Sequence, residues 1–164
     1  MKRSEREGIF RRWLEAHRGI LVRIAAAFSE PDDRDDLIQD MMIAVWHAIP
    51  HFRGDASPAT FIYRVAQNTA LAWRRGQRRR PPHDSLSPHE LAAPEPAERE
   101  SRERRLYAAI RELPRMDRLI VLLQLDGMSY RDISANLGMT ETNVGVRLNR
   151  ARKKLGGLLG GNDT

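Results

Sequence analysis

Three features of the sequence predict an all-α protein, with two small helical domains joined by a flexible, Pro-rich linker. Apolar residues recur at helical spacing through most of the chain, no segment alternates apolar and polar residues for long, and five of the nine prolines fall within residues 81–97. A chain of 164 residues holds one ordinary domain or two small ones, and small domains bury only about 60% of their unfolded surface. The net charge of +6 and a pI near 10.4 point to a polyanionic partner. With no cysteine, disulfides, Cys-zinc sites and thiol chemistry are excluded. The longest strongly apolar stretch, 20–28, is broken by Arg23, and no signal-peptide pattern precedes it. The chain is therefore expected in the cytoplasm, without direct membrane insertion.

Residues 9–28 give the first predicted helix, because Phe10, Trp13, Leu14, Leu21, Ile24 and Phe28 share a face and Arg11, Arg12, Glu15 and Arg18 separate them. Gly19 is its expected kink. After Pro31, the acids Asp32, Asp33, Asp35 and Asp36 suit the positive end of a second helix, which continues to Ile49 and stops at Pro50. Its predicted buried stripe is Leu37, Met41, Ala44 and Ala48. Asp36, Gln39, Ile43 and Trp46 share the other side, and acids mixed with large apolar groups suit a protein-docking surface. The competing reading packs Ile43 and Trp46 on another helix of the same domain. The acidic cluster lacks the alternating ligands, glycine and terminal Glu of an EF-hand loop, so no metal is expected. His47, His51, His83 and His89 lack metal-ligand partners at helical spacing.

Residues 51–57 read as a loop, with Gly54 and Asp55 as turn residues, and Ser57-Pro58 as the N-cap and first position of a long helix. Phe61, Ile62, Val65, Thr69 and Ala72 form the expected inward stripe, with Trp73 near it. Tyr63, Gln67 and Arg74, flanked by Arg64 and Arg75, are expected to face out. Residues 60–80 hold six arginines and no acid. An aromatic ring among cations and amides fits a groove for single-stranded nucleic acid, stacking bases and holding backbone; a solvated basic helix is the plainer reading.

Beyond the linker a mixed-charge helix carries Leu106, Ile110 and Leu113, Pro114 breaks it, and another helix spans 116–125. Ser129 then caps a short helix with Asp132 positioned to complete a capping box, and Gly138 ends that helix. Thr140 caps the last one, with Glu141 in its first turn. Val144, Leu148, Ala151 and Leu155 make an apolar stripe. Thr142, Val146, Asn149, Arg150 and Lys153, flanked by Asn143 and Arg147, occupy the other side. Amides and guanidinium groups suit base edges, cations suit phosphates, and Val146 suits a thymine methyl. Two capped helices around a glycine turn form a helix-turn-helix, a duplex-DNA reader, although Gly145 costs about 1 kcal/mol of helix propensity. The Gly-rich end of the chain is expected to fray.

In order and spacing, these pieces resemble the extracytoplasmic-function group of the sigma-70 family of bacterial RNA polymerase sigma factors. The resemblance covers most of 9–155 and rests on DDLIQDMMIAVWHAIPHFRG, FIYRVAQNTALAWRRGQRR and LPRMDRLIVLLQLDGMSYRDISANLGMTETNVGVRLNRARKKL. It implies region 2 over residues 1–80, a linker over 81–100 that passes through the polymerase, and region 4 over 101–164. It also implies that Asp35, Asp36, Gln39, Asp40, Ile43 and Trp46 bind core polymerase. Arg53, Gly54, Asp55, Ala56 and Ser57 would capture a flipped base of the −10 element, and Tyr63, Arg64, Asn68, Arg74 and Arg75 would line the separated strand. Glu141, Thr142, Asn143, Val146, Arg147, Asn149, Arg150 and Lys153 would read the −35 element. The implied partners are the clamp and flap of core polymerase, promoter DNA in both double- and single-stranded form, and an anti-sigma factor. No catalytic residue, metal or cofactor is implied. Ala72, Gly145 and Val146 stand where many relatives carry an acid or polar residues, which bears on promoter sequence. The alternatives are a stand-alone helix-turn-helix regulator of duplex DNA, which leaves the Trp46 and Tyr63 faces unexplained, and a nuclease, for which no nucleophile, base and orienting group fall at usable spacing.

Overall fold

The computed structural model describes residues 1–73 and 97–160 and divides the chain into two compact units, Met1–Ala93 and Pro94–Thr164. Among the described residues every regular element is helical. The expected linker, Arg74, Arg75 and the last four residues lie wholly or largely outside them.

In the first unit, α1 (Arg3–Phe28), α2 (Arg34–Ala48) and α3 (Pro58–Ala72) pack pairwise against one another. A short 3₁₀ turn, Pro31–Asp33, leads into α2 and another, Ile49–His51, leads out of it. The bend in α1 falls at His17 (φ −128°, ψ 15°) and not at Gly19. Gly19 instead leaves room for the Arg23 guanidinium, whose Nη1 lies 2.8 Å from where a Cβ would stand. Each helix touches both others, so each buries more than one narrow stripe. On α2 the buried set is Leu37, Ile38, Met41, Met42 and Val45, while Ala44 and Ala48 are only half-buried. On α3 it is Ile62, Tyr63, Ala66, Gln67 and Ala70, and Ala72 is exposed. The expected phase of α3 is thus corrected: Tyr63 and Gln67, both 5% exposed, point inward. The apolar area of the Tyr63 ring favours burial between two neighbouring helices, and its single hydroxyl does not outweigh that. Helix α3 ends earlier than expected, where Trp73 (φ −69°, ψ 132°) turns extended.

In the second unit, α4 (Ala97–Arg111), α5 (Arg115–Leu125), α6 (Tyr130–Leu137) and α7 (Glu141–Gly160) enclose a core of Ile110, Leu113, Leu119, Ile120, Leu122, Leu123, Ile133, Val144 and Leu148. Pro114 is the N-cap of α5, and its fixed φ suits that position. Helix α7 does not fray after Leu155 but runs on to Gly160, with Leu155 and Leu159 half-buried one turn apart.

Candidate nucleic-acid interface

Local chemistry sets the geometry of the C-terminal reader. Ser129 Oγ accepts the Asp132 N–H at 3.1 Å, while no return bond from the Asp132 carboxylate forms, so half of the expected capping box is present among the described residues. Gly138 sits at φ +66°, ψ 35°, and its N–H and that of Met139 both donate to the Ser134 carbonyl. An L side chain is disfavoured at this φ, which is why glycine ends α6. The Ser134 hydroxyl also donates to the Met139 carbonyl, tying the turn to the helix it leaves. Thr140 Oγ1 then accepts the Asn143 N–H at 3.1 Å and starts α7.

This turn presents α7 with Val144, Leu148 and Ala151 buried and Glu141, Thr142, Asn143, Val146, Asn149, Arg150 and Lys153 exposed. Val146 is 58% exposed, an apolar group left in water beside amides and cations. Arg147 differs from its neighbours. It is half-buried, and its Nη1 donates to Asp117 Oδ1 at 2.8 Å, while Arg150 Nη2 donates to Asp117 Oδ2 at 3.1 Å and Oδ1 at 3.3 Å. Asp117 is the residue that sequence reasoning missed. It lies in the first turn of α5, one turn before the buried Ile120 and Val121, on that helix's apolar side. An acid on an apolar stripe requires cations opposite it. Lys154 Nζ meanwhile donates to the Glu112 carbonyl near the end of α4, at 2.9 Å. Burial lowers the pKa of Arg118, with help from Arg115, and its Nε donates to the Leu113 carbonyl.

In the first unit, the loop after α2 hangs from three rings. Phe52 lies 5.0 Å from both Trp13 and Phe61, which are 5.7 Å apart, each pair meeting edge to face. Such pairs contribute about 0.5–1.5 kcal/mol each beyond their area burial. Beyond this anchor, Arg53, Gly54, Asp55 and Ser57 are exposed and Ala56 is half-buried. Gly54 has φ +79°, and Ser57 accepts the Thr60 N–H at 3.2 Å to open α3. Arg64 and Asn68 are exposed one turn apart. Tyr63 does not join them, so the stacking platform expected there is absent from this surface.

On α2, Asp35 and Asp36 are exposed while Gln39, Asp40 and Ile43 are half-buried. Trp46 turns toward α1: its ring meets Phe10 edge to face at 5.4 Å, the Arg6 guanidinium stacks at 4.1 Å, and Arg6 Nε donates to the Trp46 carbonyl at 2.8 Å. For Trp46, packing within the domain prevails over the open docking face. Among the described residues no His, Asp or Glu cluster is placed to hold a metal ion, and no helix is long and apolar enough to cross a membrane.

The model of Sigma-70 region 2 matches residues 11–80 and that of Sigma-70, region 4 matches 103–155. The ECF RNA polymerase sigma-E factor of Escherichia coli K12 is 31% identical over 149 residues, 82% of this chain and 78% of that protein. Its counterpart from Haemophilus influenzae is 29% identical over 151 residues, 84% of this chain and 78% of that one. Among solved structures, CnrH in complex with the cytosolic domain of CnrY aligns with a TM-score of 0.64 and 26% identity over 96% of this chain and 91% of that one. RpoE bound to the anti-sigma factor NepR from Bartonella quintana, at 20% identity, shares the fold with the same TM-score over 94% of this chain and 98% of that one. Two region models in sequence order, and relatives matched along most of their length, place this protein in the sigma-70 family of RNA polymerase sigma factors, among those of the extracytoplasmic-function type.

Proposed function

We propose that this sigma factor, which directs core RNA polymerase to specific promoters and promotes their melting, divides the work among three surfaces. Helix α7 reads the −35 duplex through Glu141, Thr142, Asn143, Val146, Asn149, Arg150 and Lys153, with Arg147 beside them. The observation that carries this assignment is the exposed polar face of α7 opposite a buried stripe, fixed by caps at Ser129 and Thr140 and the left-handed Gly138. The exposed chemistry supplies base-edge donors and phosphate cations, the two kinds of contact that duplex recognition needs.

The loop from Arg53 to Ser57 captures a flipped −10 base, and Arg64 and Asn68, with Arg74 and Arg75 further on, guide the separated strand. Unstacking a base costs a few kcal/mol, and a pocket that accepts only certain bases turns that cost into sequence choice. Melting on this scheme needs no ATP, and the chain contributes no catalytic residue to RNA synthesis. Tyr63 acts from the core, as packing within the first unit. Asp35, Asp36, Gln39, Asp40 and Ile43 dock the clamp of core polymerase, with Trp46 as the buttress that fixes this face to α1, and the second unit meets the flap. Residues 1–80, 81–100 and 101–164 are then region 2, linker and region 4.

The proposed partners include an anti-sigma factor, the kind of protein bound to RpoE of Bartonella quintana, and the proposed location is the cytoplasm. The test is a pull-down of core polymerase by the parent chain and by Asp40→Ala, followed by transcription from a promoter pool. The docking assignment predicts weaker capture by Asp40→Ala with unchanged duplex binding; equal capture would contradict it.

A further inference from the structure

We infer that Asp117 is a specificity-positioning residue of the −35 reader: it holds Arg147 back from DNA and aims Arg150. Its carboxylate is 1% exposed, sits on α5, and accepts from both guanidinium groups of α7 at 2.8 and 3.1 Å. The two arginines lie on adjacent turns of α7 but differ in what they leave to solvent. The Arg147 side chain is 30% exposed and the Arg150 side chain 60%. Arg147 is therefore a strut between α7 and α5. Arg150 uses Nη2 on Asp117 and keeps Nε and Nη1 for DNA, in an orientation that a free side chain on a flexible stem would have to acquire on binding.

A buried carboxylate on the non-reading side of the helix also limits unspecific affinity. With Asp117 charged, it neutralises one of the two guanidinium groups it contacts. Without that charge, both are free to reach phosphates, and each such contact tightens binding to any sequence and steepens its salt dependence by about 0.9 in log–log slope. The inference rests on the assignment of α7 as the duplex reader, and the experiment separates the two.

The full chain is bound to core RNA polymerase and offered promoter duplexes randomised across the upstream element, at a series of KCl concentrations. Asp117→Asn keeps the shape and removes the charge. The expected result is a selectivity between favoured and median sequences lowered roughly tenfold, with a steeper salt slope and tighter binding to the unselected pool. A purely structural Asp117 would change the melting temperature without changing the slope, so an Asn variant with the parent's selectivity and slope overturns the inference. Should the Asn variant not fold, Arg147→Gln decides: a parental slope supports the strut, and a slope shallower by about 0.9 places Arg147 on a phosphate and overturns it. A parent that selects no sequence in the upstream window overturns the reading of α7, and the inference with it.

Discussion

Gly145→Ala is expected to stabilise the second unit, because Gly145 lies inside α7 with ordinary helical backbone, so glycine contributes only its conformational cost there. Replacing glycine by alanine within a helix gains about 0.8–1.0 kcal/mol. The added Cβ would stand 3.5 Å from Tyr130 Cε2 and 3.9 Å from Cδ2, ordinary contact distances that add a little apolar burial and no clash. For a domain of this size the gain raises the melting temperature by about 4–8 °C. The distribution of chromophores supplies the assay. Trp13, Trp46 and Trp73, the chain's three tryptophans, all lie in the unit Met1–Ala93, so tryptophan fluorescence follows that unit alone, while helical circular dichroism follows both. The variant should raise a circular-dichroism transition and leave the fluorescence transition in place. A lowered transition would mean that the approach of Tyr130 to α7 has no room for a methyl group, and would refute the reasoning.

Ser129→Ala removes the oxygen that caps α6 and should cost about 1 kcal/mol in the same circular-dichroism transition, again without moving the tryptophan signal. Phe52→Ala removes the ring shared by Trp13 and Phe61. Burying a Phe fully and then truncating it costs about 3–5 kcal/mol, and since Phe52 is half-buried, about 2 kcal/mol is expected in the fluorescence transition. Because the loop of Arg53 to Ser57 hangs from that ring, promoter opening by Phe52→Ala, followed with a fluorescent base in the −10 element, should fall further than capture of core polymerase. Equal losses would count against the loop's assigned role. Gly54→Ala forces an L side chain to φ +79° at a cost of about 1–2 kcal/mol, and should impair opening while leaving −35 duplex binding unchanged.

Features set by neighbouring residues were legible in the sequence almost residue by residue. Ser129, Gly138 and Thr140 were placed correctly, and so were Ser57 and Pro58, because a cap or a left-handed turn depends on three or four consecutive residues. The rotation of α2 and α3 was not legible. A single apolar stripe assumes one neighbour, whereas each helix of the first unit packs against two, and Tyr63 and Gln67 are carried inward as a result. The partnership of Asp117 with Arg147 and Arg150 spans some thirty residues, and only the anomaly of an acid on an apolar stripe hints at it. The choice between an open and a packed Trp46 is not legible locally, because Arg6, forty residues earlier, is what lies over the ring. The extension of α7 through Gly156 and Gly157 was hidden by the composition of that stretch, since glycine marks helix ends more often than interiors.

Transcription from a genomic promoter pool by core polymerase, with and without this chain, tests the division of labour most directly. Added to bare core polymerase, the chain should start RNA at a defined set of promoters, and Asp40→Ala should reduce that output at all of them alike. A chain that starts RNA nowhere, yet represses as a self-associated pair on intact duplex, would contradict the account.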